Sequence, residues 1–213
     1  MSTSIAHPSK RPTIQVYISG NRQFHTFVVH KDVLVRSSPK WRNTLATRPD
    51  AKDIIIENVD PTIFNIYVQW IYSRNDEITT LRTDSAACLT DAYLLGVKLG
   101  DKGFQKFASN KLLDFFTTHR IVPGVRFVNI FYELSKPGSA ERLAVLDLWV
   151  ESRHDAGKKI KSCVEDVHRE FRADFVKALS VQTEGPVKDQ PWVSQPDIFH
   201  MDALKAKEDV KAI

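Results

Sequence analysis

Cysteine is almost missing from this chain: Cys88 and Cys163 are the only two in 213 residues, and they stand far apart. Neither a disulfide framework nor a thiolate metal site of CxxC spacing is therefore expected. No run approaches the ~20 consecutive apolar residues of a membrane-crossing helix, and Met1 to Lys10 has no apolar core of the kind a secretory leader carries. These absences lead us to expect an intracellular protein, in cytoplasm or nucleus, without membrane contact. Glycine is scarce as well, with eight residues. Gly96, Gly100 and Gly103 fit neither GxxxxGK[ST] nor GxGxxG after a strand, so they read as a helix end and a turn rather than a phosphate loop. No serine sits in a GxSxG elbow. The seven histidines are dispersed, His154 and His168 are not one helical turn apart, and adjacent carboxylates such as Glu165 and Asp166 point apart on a helix. The chain is thus expected to be non-enzymatic, with no catalytic residue, metal ligand or cofactor.

What is present is an ordinary globular composition, 42% hydrophobic and 26% charged. The net charge of +4 is uneven, because Met1 to Arg48 carries eight Lys or Arg against one acid, Asp32. Such an arm suits nucleic acid or an acidic partner. The basic residues, Lys10, Arg11, Arg22, Lys31, Arg36, Lys40, Arg42 and Arg48, are scattered singly without interleaved aromatics. A nucleic-acid-associated protein is accordingly kept as an alternative but disfavoured, and a small enzyme is a further disfavoured alternative.

Along the chain, residues 1–12 read as a flexible arm. Ile14, Val16 and Ile18 alternate with Gln15, Tyr17 and Ser19, and Gly20-Asn21 offers a tight hairpin turn. In the next strand Phe24, Thr26 and Val28 face one way and Phe27 and Val29 the other, which predicts a strand apolar on both faces and buried. The period then changes: Val33, Leu34 and Ser37 fall on helical spacing, and Ser37-Ser38-Pro39 supplies a stop, a cap and a first-turn proline for a helix anchored by Trp41 and Leu45. Ile54 to Glu57 form a short strand. Asp60-Pro61 starts a helix whose Ile63, Ile66, Tyr67, Trp70 and Ile71 share a stripe widened by Phe64 and Val68. Ser73 to Arg82 crosses the surface, with Ile78 as a brief edge strand. A helix from Ser85 to Leu99, inward at Cys88, Ala92, Leu95 and Leu99 and ended by Gly100, precedes one capped by Asp101 that carries Phe104, Ala108, Leu112 and Phe115.

The segment Phe27 to Trp41, with His30, Leu34 and Ser38 in place, resembles the signature of the BTB/POZ domain. The likeness continues through Ile54 to Pro61, Phe64, Trp70-Ile71-Tyr72, Glu77-Ile78 and Ala92 to Leu99, and its look is that of the fungal branch. It implies an α+β fold over residues 13–119, a small mostly antiparallel sheet covered by helices; beyond the likeness the residues themselves read as an all-α C-terminal region at 120–180 and an irregular tail at 181–213. It also implies a protein–protein interaction module, an adaptor or scaffold working through self-association and partner docking, in ubiquitin ligation or transcription, with His30 as a core or capping residue. In that family an aspartate before the first strand helps form the dimer-interface pocket. Thr13 stands there and supplies no charge. A cullin-type scaffold as partner usually goes with a hydrophobic-x-Glu pattern, and none lies between Trp41 and Lys52.

Beyond residue 119, Pro123 opens a helix carrying Phe127, Ile130, Phe131 and Leu134. Pro137-Gly138 ends it, and Ser139 caps the next, with Leu143, Leu146, Trp149 and Val150 expected inside. Lys159 to Leu179 reads as one helix with Ile160, Val164, Val167, Phe171, Phe175 and Ala178 on a stripe that closes the bundle. In the proline-broken tail, Trp192, Ile198, Phe199, Met201 and Leu204 are candidate partner-binding residues, since apolar side chains there either fold back or meet a partner.

Overall fold

The alternation of Ile14, Val16 and Ile18 with polar neighbours sets the register of everything that follows in the first part of the chain. In the computed structural model, which describes residues 11–20, 23–73, 85–151 and 166–182, these three side chains are almost fully buried. They belong to β1 (Thr13–Gly20), which pairs antiparallel with β2 (Gln23–His30) from Thr13↔His30 to Gly20↔Gln23. Residues 21 and 22, expected as the tight turn, lie outside the described residues. α1 (Lys31–Ser37) and α2 (Pro39–Thr47) then carry the chain over to β3 (Asp53–Glu57), which re-enters beside β1 in parallel and gives the order β2-β1-β3.

The sheet is therefore mixed, one antiparallel pair and one parallel pair, in place of the mostly antiparallel sheet expected. β2 already returns the chain to the start of β1, so α1 and α2 need only carry it across to the other edge of β1, where β3 sets out in the same direction. The protein is α+β, with this three-stranded sheet and eight helices among the described residues. The remaining helices are α3 (Pro61–Ser73), α4 (Ala86–Leu99), α5 (Lys102–His119), α6 (Val125–Leu134), α7 (Ala140–Glu151) and α8 (Arg169–Gln182). Ile78, expected in a brief strand, lies outside the described residues. The chain divides between Ala108 and Ser109 into two compact units.

In the first unit the inner sheet face, Val33 and Leu34 of α1, Trp41 and Leu45 of α2 and Ile63, Phe64 and Tyr67 of α3 make the core. Phe27 meets Phe64 edge-on at 4.9 Å, and Tyr67 meets Phe104 at 5.0 Å. Gly100 has φ +65° and ends α4 in the left-handed region, as the cap reading expects. Gly96 serves a close approach instead: a Cβ there would lie 2.8 Å from the Gln105 backbone, so only glycine lets α4 and the start of α5 meet so tightly.

The second unit is helical in its described residues. Phe116 meets Phe127 edge-on at 4.7 Å, Phe127 meets Phe131 at 4.3 Å with the rings tilted, and Phe171 sits edge-on to both Tyr132 and Trp149 at 5.2 Å. The single helix expected over Lys159 to Leu179 is not continuous: a turn occupies residues 166–167, and α8 begins only at Arg169. Asn129 of α6 holds that break. Its Nδ2 donates to the Asp166 carbonyl at 2.7 Å while its Oδ1 accepts the His168 N–H at 2.7 Å, taking two main-chain groups that a helix would have used internally. α8 then runs through Gln182, two residues into the stretch expected as tail. Leu143, expected inside, is 40% exposed, because α7 turns Arg142 inward in its place.

Candidate functional site

Alternate residues of a strand face the same side, and the register brings nine such positions together on the outer face of the sheet. Gln15 lies between Val28 and Asp53, Tyr17 between Thr26 and Ile55, and Ser19 between Phe24 and Glu57. Phe24 is 67% exposed, Val28 63% and Ile55 60%, with Tyr17 half-buried among them. The expectation that β2 is buried on both faces is thus corrected. α1 and α3 pack on the strands and the inner residues are buried, whereas the outer residues of β2 stay in water. The cause is a tertiary one: in an α+β sheet with helices on one side, the opposite face has no partner. Nothing in the sequence of β2 alone marks which side the helices take.

This face is apolar along β2 and acidic along β3, where Asp53 and Glu57 flank Ile55, and none of its nine residues is Lys or Arg. Burying a side chain such as Phe24, Val28 or Ile55 in a contact is worth about 1.5–3 kcal/mol each when complete. The surface is chemically suited to a partner presenting an apolar stripe bordered on one side by basic residues.

What holds the sheet firm is a polar hub under it. The Tyr67 hydroxyl accepts from Trp41 Nε1 at 3.0 Å, lies 2.8 Å from Ser37 Oγ, and donates to Asp101 Oδ2 at 3.1 Å. Asp101 Oδ1 in turn accepts the Phe104 N–H at 3.0 Å, capping α5. One phenol therefore links α1, α2, α3 and the start of α5. Burial, opposed by the Ser37 hydrogen bond, pushes its pKa far above the ordinary tyrosine value. Ser38 caps α2 as expected, accepting the Trp41 N–H at 3.2 Å.

His30 stands at the junction of β2 and α1 without capping the helix. The Tyr72 hydroxyl accepts its main-chain N–H at 3.0 Å and lies 2.7 Å from Nδ1, tying the end of β2 to α3. That is a structural role, but not the capping or core one expected: the side chain makes no cap hydrogen bond and is only half-buried.

A shallow cleft of about 240 Å³ opens where Asn58, Val59, Asp60 and Ile63 face Asp91, Leu94, Leu95 and Lys98. Asp60 is engaged in starting α3, accepting the Thr62 N–H at 2.7 Å, and the Lys98 amine donates to the Glu57 carbonyl. Burial pushes the Cys88 thiol up, with Asp91 and Asp60 adding to the shift. A thiol so placed is held protonated and is a poor nucleophile. Among the described residues no group of three or more His, Cys, Asp or Glu is arranged to hold a metal ion, and no helix is long and apolar enough to cross a membrane.

The second unit has its own polar anchor, Arg142. Its guanidinium donates to the carbonyls of Tyr132 and Ser135 at the end of α6, covers the Tyr132 ring at 4.6 Å, and pairs with Glu170 of α8. Sequence reasoning passed over Arg142, and it placed Tyr67 on the core stripe without the role of its hydroxyl. Tyr67 carried a signal, a hydroxyl on the core stripe of a helix that must find a partner when buried. Arg142 carried none, since neighbouring Leu143 was the stronger core candidate by composition. The candidate residues Trp192, Ile198, Phe199, Met201 and Leu204 lie outside the described residues. No family model matches this chain, and no curated protein matches it.

Proposed function

We propose that this protein is a non-enzymatic interaction module of BTB/POZ type, an adaptor or scaffold that docks a protein partner and associates with itself. The observation that carries the reading is the uncovered sheet face, where Phe24, Val28 and Ile55 stand in water beside Tyr17. Contiguous exposed apolar side chains of this kind mark contact surfaces on otherwise well-buried domains. The order of elements supports the family part of the reading: a hairpin, two short helices divided at Ser38-Pro39, a parallel third strand, a proline-started helix and a helix pair turned at Gly100. The resemblance in Phe27 to Trp41 adds to it.

The acidic border of the face defines the partner's chemistry, an apolar stripe with Lys or Arg on the side that meets Asp53 and Glu57. Affinity capture from the native cell with the full chain, compared with Ile55→Asp, tests this. Ile55 is exposed, so the variant is expected to fold with a stability change within about 0.5 kcal/mol and to lose the captured partner. A chain that retains no protein, or retains the same proteins with Ile55→Asp, overturns partner docking by this face.

A further inference from the structure

Among the described residues β2 is an edge strand with none of the usual protections. Its sequence, QFHTFVVH, contains no Lys, Arg, Asp, Glu or Pro, and its pairing with β1 runs unbroken from Thr13↔His30 to Gly20↔Gln23 without a bulge. Gly20 and Gln23 close a two-residue connection, so the odd-numbered residues of β2 turn their N–H and C=O groups toward β1 and the even-numbered ones turn theirs outward. The His30 N–H, reached from outside by the Tyr72 hydroxyl at 3.0 Å, fits that parity. Among the described residues, none takes the N–H or C=O of Phe24, Thr26 or Val28.

The open edge thus runs from Phe24 to Val28 and is closed at His30 by Tyr72. Its centre is Thr26. An antiparallel strand laid along it in that window pairs every outward group when residue numbers across the contact sum to the same value about Thr26. A second β2 does this: Phe24 comes opposite Val28, Thr26 opposite Thr26 and Val28 opposite Phe24, with six main-chain hydrogen bonds. These are the aromatic with β-branched and the Thr with Thr pairs that stabilise neighbouring strands, and with no charged side chain on β2 no like charges meet across the axis.

We propose that β2 pairs with the β2 of a second copy about a two-fold axis at Thr26, joining two three-stranded sheets into one of six strands with a shared apolar outer face. The idea rests on the interaction-module reading and specifies its self-association. The open edge from Phe24 to Val28 spans only about 17 Å, a contact strip well short of the ~1,200–2,000 Å² interfaces of stable complexes. The dimer is therefore reversible and concentration dependent, and isologous.

The test uses the full chain in sedimentation velocity over a wide dilution series, with mass expected to rise toward two chains as concentration increases. Val28→Lys, at a position that is already exposed, weakens the association by about tenfold or more, with circular dichroism confirming the fold. In a Cys88→Ser, Cys163→Ser background, Thr26→Cys forms an intermolecular disulfide under mild oxidation, since directly opposed Cα atoms about 5.5 Å apart suit that bond. Phe24→Cys does not, because its own copy lies offset along the strand. A single-chain mass at every concentration, unchanged association in Val28→Lys, or equal cross-linking at residues 24 and 26 overturns the proposal. Ile55→Asp keeps the two readings apart, since Ile55 lies on β3. A monomeric chain whose captured partner is still lost with Ile55→Asp removes β2 pairing and leaves the docking face in place.

Discussion

The two units solve the same problem, a polar group inside a core, with opposite chemistry. In the first, Tyr67 is a neutral phenol whose single oxygen gathers Trp41, Ser37 and Asp101, so helices are joined without placing a second charge beside the carboxylate. In the second, Arg142 brings a permanent charge inside, its side chain 7% exposed, and spreads it over two carbonyls, an aromatic face and a carboxylate that is itself 54% exposed. A neutral hub loses hydrogen bonds when broken but leaves little net charge to solvate. A charged clamp must keep nearly every donor occupied, and its carboxylate partner sits where water can still reach it.

The largest effect expected from breaking this contrast is at Arg142. Arg142→Met leaves the Tyr132 and Ser135 carbonyls without their donor, while Glu170 simply hydrates. The cost is then set by the carbonyls, about 2–4 kcal/mol, read by urea unfolding of the full chain. Arg142→Lys recovers only part of it, because an ammonium cannot reach both carbonyls and the carboxylate in the guanidinium fork geometry.

Asp147 of α7 tests whether the second unit tolerates a charge that is not spread in this way. Burial pushes its carboxyl up to about 6. Its folded pKa exceeds the unfolded value of about 3.9, so its stabilising contribution is complete below that value and is lost as pH rises through about 6. Asp147→Asn is expected to stabilise the protein at pH 7 by about 1–3 kcal/mol and to flatten the loss of stability between pH 4 and 7. Equal stability of wild type and variant at neutral pH would contradict the burial account.

At the neutral hub, Tyr67→Phe keeps the ring contacts with Phe64 and Phe104 and removes only the hydroxyl. Trp41 Nε1 and Asp101 Oδ2 then lose the hydrogen bonds they make to it, at a cost of about 1–3 kcal/mol. The same residue gives a pH signature. Burial raises the Tyr67 pKa, and that of Tyr132 likewise, above the unfolded value of about 10. Their contribution is intact below pH 10 and is lost as pH climbs above it, so an alkaline titration of stability should be shallower in Tyr67→Phe.

The smallest effect is expected at Glu170. The hydrogen bond from Arg142 holds its carboxyl below the usual range, so what it contributes is present above its unfolded pKa and is lost as pH falls through the folded one. It is largely exposed, and Glu170→Gln should change stability far less than Arg142→Met. Equal losses in the two variants would mean that the ion pair, not the capped carbonyls, is what Arg142 is for.

Much of the frame was legible in the residues. The alternation of Ile14, Val16 and Ile18, the cap at Ser38, the start at Asp60-Pro61 and the left-handed Gly100 are local signals, each fixed by backbone sterics or by a hydrogen bond within a few positions, so the strands and helices of the first unit could be read off in order. The break before α8 could not, because the groups that enforce it belong to Asn129, 37 and 39 positions away.

The candidate site divides along the same line. That β2 would be apolar on both sides is written in Phe24, Phe27, Val28 and Val29. Which side would meet helices and which would remain in water was decided only when α1 and α3 packed on one face, since a strand presents two equivalent faces until something covers one of them. The parallel return of β3 and the inward turn of Arg142 were settled in the same way, by what came to lie beside them.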